Sequence, residues 1–181
     1  MVNTDRLIQQ FFNYVRIDSE TKYERQICDT LIHQLTQLGL TVIEDDSARR
    51  TGHEAGNVIA TLPGTADNWP TIFFTAHMDT VSPGRNIQPS IQDGYIVSDG
   101  TTILGSDDKA GLAALVEAIH LVKENNVPHG RIQFVVTAGE ESGLAGSRAI
   151  NRSLLRAQYG FALDSNGPVG DIIVAAPAQV K

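Results

Sequence analysis

The chain has 181 residues, enough for one domain, and 41% of them are hydrophobic, enough for a sizeable core. Its formal net charge of -7 argues against the basic surplus of a nucleic-acid binder or a polybasic membrane anchor. Its one cysteine, Cys28, excludes an internal disulfide framework and a zinc site built on paired thiolates.

Other compositional features agree. Charged residues make up 19% of the chain, less than the roughly 25% of an average soluble domain, so much of the length is expected to be buried. No apolar run approaches the roughly 20 residues needed to span a bilayer. The opening Met-Val-Asn-Thr-Asp-Arg has no apolar core of signal-peptide length. Together these suggest a reducing, cytoplasmic setting with neither nucleic acid nor membrane as partner. The match of Asn151-Arg152-Ser153 to a glycosylation acceptor is then a chance one.

In chain order, the spacing of Leu7, Ile8, Phe11, Phe12 and Val15 predicts a helix over 5–16, capped by Asn3 or Thr4. Tyr23, Ile27, Leu31, Leu35 and Leu38 predict a second over 21–38, closed by Gly39. Strands are expected at 40–44 and 57–62, the latter ended by Pro63-Gly64. The run 71–76 is short, apolar and β-prone, as suits a strand buried on both faces. Residues 82–106 read as a long loop with a hairpin at Asp93-Gly94. A strong helix follows over 109–124, then a buried strand at 131–138, a helix at 144–155, and strands at 159–163 and 171–176. This order predicts an α/β fold, a mixed and mainly parallel sheet with helices on both faces. In such sheets the active groups gather at the C-terminal strand ends.

Four successive segments at or beside those ends carry imidazole or carboxylate. After 71–76 come His77 and Asp79, two apart in extended chain and so on one face. A carboxylate there can orient the ring and leave its other nitrogen for a metal, although a structural histidine is the plainer explanation. Asp107 and Asp108 precede the long helix, where capping is the ordinary role and a metal-bridging carboxylate at Asp107 the functional one. Glu140-Glu141 directly follow a buried strand between glycines, an unusual place for a merely solvated pair. One can bind a metal and the other handle a proton. Asp164 follows the next strand, where turn chemistry is the alternative. The coincidence carries the argument. Oxygen ligands with an imidazole and no thiolate suit a hydrolytic zinc, manganese or cobalt site. Three carboxylates would be balanced by two divalent ions about 3.5–4 Å apart better than by one.

These residues form recognisable motifs. Thr75-Ala76-His77-Met78-Asp79-Thr80-Val81, Gly105-Ser106-Asp107-Asp108-Lys109-Ala110-Gly111, Glu140-Glu141-Ser142-Gly143 and Leu163-Asp164 resemble, in order and spacing, the four motifs of the dinuclear zinc exopeptidases that include peptidase T, carboxypeptidase G and the aminoacylases. The Asp-Asp-Lys-Ala-Gly form is most similar to the peptidase T branch. The resemblance implies that His77 and Asp164 bind one metal, Glu141 the second and Asp107 both, across a cis peptide bond to Asp108. It implies that Asp79 orients His77 and that Glu140 is the general base in hydrolysis of short peptides. An aminopeptidase is the leading expectation. A carboxypeptidase, an N-acyl amino-acid deacylase or a non-catalytic binding domain are the alternatives. Members of that family are about twice as long, carry an inserted lid domain after the fourth motif, and take a fifth ligand from a late histidine. His33, His53, His120 and His129 offer no convincing counterpart. Residues 1–181 are therefore expected to be the N-terminal part of a catalytic domain, inactive alone, of a protein that could dimerise when complete.

Overall fold

Asn3 closes the first helix, its side-chain oxygen accepting the Arg6 amide, and α1 runs over Thr4–Val15 with Phe11, Tyr14 and Val15 turned inward. The computed structural model describes residues 1–66, 68–165, 167 and 175. α2 occupies Arg25–Gln37, shorter at its start than the periodicity suggests. The preceding residues are drawn to the sheet instead. Glu20 bridges to Thr80, the Thr21 amide donates to the Thr80 carbonyl, Lys22 takes a left-handed φ of 84°, and Tyr23 is left exposed. At the other end Gly39 has φ 82°, and the amides of Gly39 and Leu40 reach the carbonyls of Thr36 and Leu35. That pair of bonds is a Schellman closure, whose left-handed position favours glycine.

The remaining elements follow as β1 (Thr41–Glu44), α3 (Ala48–Thr51), β2 (Val58–Leu62), β3 (Ile72–His77), β4 (Ser90–Gln92), β5 (Tyr95–Val97), α4 (Ser106–Glu124), β6 (Ile132–Thr137), α5 (Ala145–Arg148), a 3-10 turn at Arg152–Leu154, and β7 (Tyr159–Ala162). Asp93 and Gly94, both at positive φ, make the tight turn between β4 and β5. The central sheet has the order β1-β2-β6-β3-β7. It is antiparallel at β1-β2 and β2-β6 and parallel at β6-β3 and β3-β7. The three parallel strands therefore point their C-terminal ends the same way. The expected strand over 171–176 lies outside the described residues.

Register decides what each face does. Val58, Ala60, Leu62, Ile72, Phe74, Ala76, Ile132, Phe134 and Val136 lie in register on one side and join the inward residues of α1, α2 and α4 in a single core. The opposite side is crossed by 151–156, where Gln133 donates to the Leu154 carbonyl and accepts from the Arg156 amide. β6, central to the sheet, is buried along its whole length. β3 is only half-buried over Ile72–Thr75, because its neighbour β7 is itself exposed throughout. The expectation of burial on both faces holds for β6 and not for β3.

The helix expected at 144–155 is also broken. α5 spans one turn, and Asn151 then turns out of helical geometry because its amide donates to Asp45 Oδ2 (3.0 Å). Asp45 belongs to a buried polar knot. Asn57, completely buried, places Nδ2 3.0 Å from each of Asp45 Oδ2, Ser47 Oγ and the Gly146 carbonyl, and its Oδ1 accepts the Ala138 amide. The knot fixes where the chain goes after β6. Asn57→Ala would leave the buried Ala138 amide without its partner and strip one bond from each of the others, and is expected to lower unfolding free energy by about 1–3 kcal/mol in a urea titration.

Candidate metal centre

The C-terminal end of β3 delivers His77, almost fully buried. Its Nδ1 lies 3.0 Å from the Asp79 backbone carbonyl and 3.4 Å from Asp79 Oδ1. A carbonyl can only accept, so Nδ1 carries hydrogen and Nε2 faces the cleft. Asp79, expected to orient the ring, thus lies beside it. It also has a task that the pattern does not reveal. Fully buried, its two oxygens accept the amides of Glu140 (2.9 Å) and Glu141 (3.1 Å). One carboxylate thus joins the ends of two neighbouring strands.

At the start of α4, Asp107 and Asp108 have non-helical backbone angles and the peptide bond between them is cis. The two acids have different surroundings. Asp108 is buried, accepting the His77 amide at Oδ2 (3.2 Å) and the Gly111 amide at Oδ1 (3.1 Å), the latter in the manner of a cap. Asp107 has its side chain 69% exposed and places Oδ1 2.8 Å from His77 Nε2. Gly111 cannot be larger, since a Cβ there would stand 2.2 Å from Asp108 Oδ1.

Beyond β6 the chain turns through Gly139 at φ 63°. A Cβ at 139 would lie 2.3 Å from His53 Nε2, so the turn is pressed against that ring. His53 Nε2 is 2.9 Å from Ser142 Oγ, to which Thr21 Oγ1 donates at 3.1 Å, and buried Glu24 lies 3.8 Å from the same nitrogen. His53 reads in the sequence as one of several spare histidines. Here it backs the acidic turn. Glu140 and Glu141 are half-buried, and Asp164, just past β7, has Oδ1 4.0 Å from His77 Nε2.

Ligand atoms of His77, Glu140 and Glu141 all lie within 4.8 Å of one another, and so do those of His77, Asp108 and Asp164. His77 is common to both sets. A cleft of about 310 Å³ lined by Asp107, Asp108, Gly111, Asp164 and Ser165 opens beside them. Electrostatics marks the cleft as short of positive charge. Burial raises the carboxyls of Glu140, Glu141 and Asp164, with other acids of the cluster adding to it. Burial likewise pushes Asp108 up to about 7. Asp79 behaves oppositely: burial alone would raise it, but hydrogen bonds with His77 and the Glu140 amide hold it below the usual carboxylate range. Burial also disfavours a charged His77, yet bonds to Asp79 and Asp107 outweigh it and push the ring up to about 9. An imidazole among hard oxygen donors, with no thiolate, suits a divalent cation of the zinc or manganese type.

Comparison with known proteins agrees with this chemistry. The family model described as "Peptidase family M28" matches residues 57–178. The chain is 32% identical over 213 aligned positions to peptidase T of Yersinia pestis (strain Pestoides F), covering 93% of this chain and 49% of that protein. The crystal structure of aminopeptidase PepT from Bacillus cereus superposes with a TM-score of 0.93 at 58% identity, covering 96% of this chain and 46% of that one. A tripeptidase from Staphylococcus aureus gives a TM-score of 0.90 at 48% identity, covering 92% and 45%. The chain spans about half the length of the relatives it matches.

A cation taking Nε2 of His77 must displace the proton that Asp107 stabilises there. Binding of Mn²⁺ at pH 7 is therefore expected to release protons, and affinity to rise with pH and level off above about 9, once His77 is neutral. Calorimetry in buffers of different ionisation enthalpy reads this directly. His77→Ala is expected to abolish the heat.

Proposed function

The chain belongs to peptidase family M28, and from that premise we propose that it carries the metal centre of an exopeptidase that removes residues from the amino end of short peptides. The observation that best supports the reading is the convergence on one imidazole of Asp164 and the Glu140–Glu141 turn, with Asp107 Oδ1 2.8 Å from its Nε2. The names of the similar aminopeptidase and tripeptidase favour the amino end and short substrates.

His77, Asp107, Glu141 and Asp164 would hold two divalent ions, zinc by preference, with cobalt or manganese able to serve. When bound, these ions supply polarisation of the scissile carbonyl and acidification of a water. Glu140 is the general base. Its carboxyl, raised by burial and by neighbouring acids, suits a group that accepts a proton from water and returns it to the leaving amine. Asp79 does not touch substrate. It keeps the His77 ring and the Glu140–Glu141 amides in one rigid arrangement, and fixed geometry is where much of a positioning effect on rate arises.

Residues 1–181 form the N-terminal part of the catalytic domain in this reading, with a lid domain and the rest of the catalytic domain in the remaining half. The span of about half the relatives' length accords with it. The single buried Cys28 accords with a reducing, cytoplasmic setting, and the complete protein would act as a homodimer.

Assays on the complete protein test the reading. An unblocked tripeptide is expected to be cleaved and its N-acetylated form spared. A chelator should abolish turnover and Mn²⁺ or Zn²⁺ restore it. Glu140→Gln should lower kcat by about 10²–10⁴-fold while metal content stays unchanged. Cleavage of the acetylated peptide alone would instead identify a deacylase.

A further inference from the structure

Among the described residues, Lys109 is the one Lys or Arg that is buried, and it is buried completely. An interior ammonium is costly unless its hydrogens find acceptors and opposite charge lies near. Both conditions hold. Nζ donates to the Met78 carbonyl (2.6 Å) and to Ser19 Oγ (2.7 Å). The carboxylates of Asp79, Asp108, Glu24 and Asp107 all act on it.

The acceptors are informative. Met78 stands between His77 and Asp79, and its own amide donates to the Thr137 carbonyl at the end of β6 (2.9 Å). With Lys109 on its carbonyl, that residue is held from both sides. Ser19 in turn accepts the Thr80 amide at its backbone carbonyl (3.0 Å). The same ammonium therefore ties α4, which starts with Asp107 and Asp108, to the turn that carries His77 and Asp79.

Resting on the metallopeptidase reading above, we propose that Lys109 is a positioning residue that locks the His77–Asp79 turn, and through Asp79 the Glu140–Glu141 turn, in the ligating arrangement before a cation arrives. A charge that served only to neutralise the carboxylates would act in the opposite direction on metal binding. An ammonium near a cation site repels the cation, so removing charge alone would tighten binding. Removing a tether loosens it. The sign separates the two roles.

The test uses Lys109→Met in the complete protein, nearly isosteric and uncharged. In the metal-free protein, hydrogen exchange should show the amides of Glu140 and Glu141, which Asp79 accepts, losing protection while those of Phe134 and Val135 in β6 keep theirs. Titration with Mn²⁺ should show affinity falling by about 10–100-fold, as for loss of other groups that orient metal ligands. Unchanged protection at Glu140 and Glu141, or unchanged or tighter Mn²⁺ binding, would overturn the proposal. If Lys109→Met does not fold, Ser19→Ala keeps the ammonium and removes one acceptor. It should shift both readouts the same way but less, and no shift in either overturns the proposal equally. Should the unaltered protein bind no Mn²⁺, the metallopeptidase reading falls, and the exchange experiment still decides the role of Lys109.

Discussion

Asp79 has no access to solvent, so its charge must be met by protein groups or given up. It is met by the His77 ring on one side and by two backbone amides on the other. The ring belongs to β3 and the amides to the turn after β6, and each segment carries side chains that face the cleft. The carboxylate therefore converts a local need, its own solvation, into a relation between β3 and the turn after β6. Loss of that relation would free His77 to rotate and Glu140 to drift. A peripheral ion pair such as Arg50–Asp46, half exposed and four residues apart, carries no such consequence.

The surroundings of Asp79 show what such a centre requires of a fold. The parallel ladder β6-β3-β7 brings its C-terminal ends to one edge. α4 starts at that edge and contributes Asp107 outward and Asp108 inward. Glycines at 111 and 139 allow approaches of carboxylate and imidazole that any Cβ would block. Behind the edge lies a second layer of polar groups, His53, Glu24, Ser142 and the Asn57–Asp45–Ser47 knot, which holds the loops without facing the cleft. A site whose front surface is crowded with like charges needs such support, since nothing in the front layer alone would keep the acids together.

Much of this was legible in the sequence, for a physical reason. Apolar runs such as Ile132–Thr137 with acids two residues beyond are locally encoded, and so are the Asn3 cap, the Gly39 closure and the Asp93-Gly94 turn. Other features depended on partners far along the chain. The start of α2 was lost to a bridge between Glu20 and Thr80. The helix expected over 144–155 was cut by a bond from Asn151 to Asp45, more than a hundred residues away. Which of Asp107 and Asp108 turns inward follows from which of them meets the His77 amide. His53 carries no local signal at all. Its role becomes visible only because Gly139 sits against it, and a glycine following a buried strand was the one hint available.

If side chains from these separate segments form one metal-binding centre around His77, anomalous scattering from crystals of the complete protein grown with zinc will reveal it. Density is expected within about 2.0–2.2 Å of His77 Nε2 and of carboxylate oxygens from Asp107, Glu141 and Asp164. Zinc bound elsewhere, with His77 still hydrogen-bonded to Asp107, would contradict it.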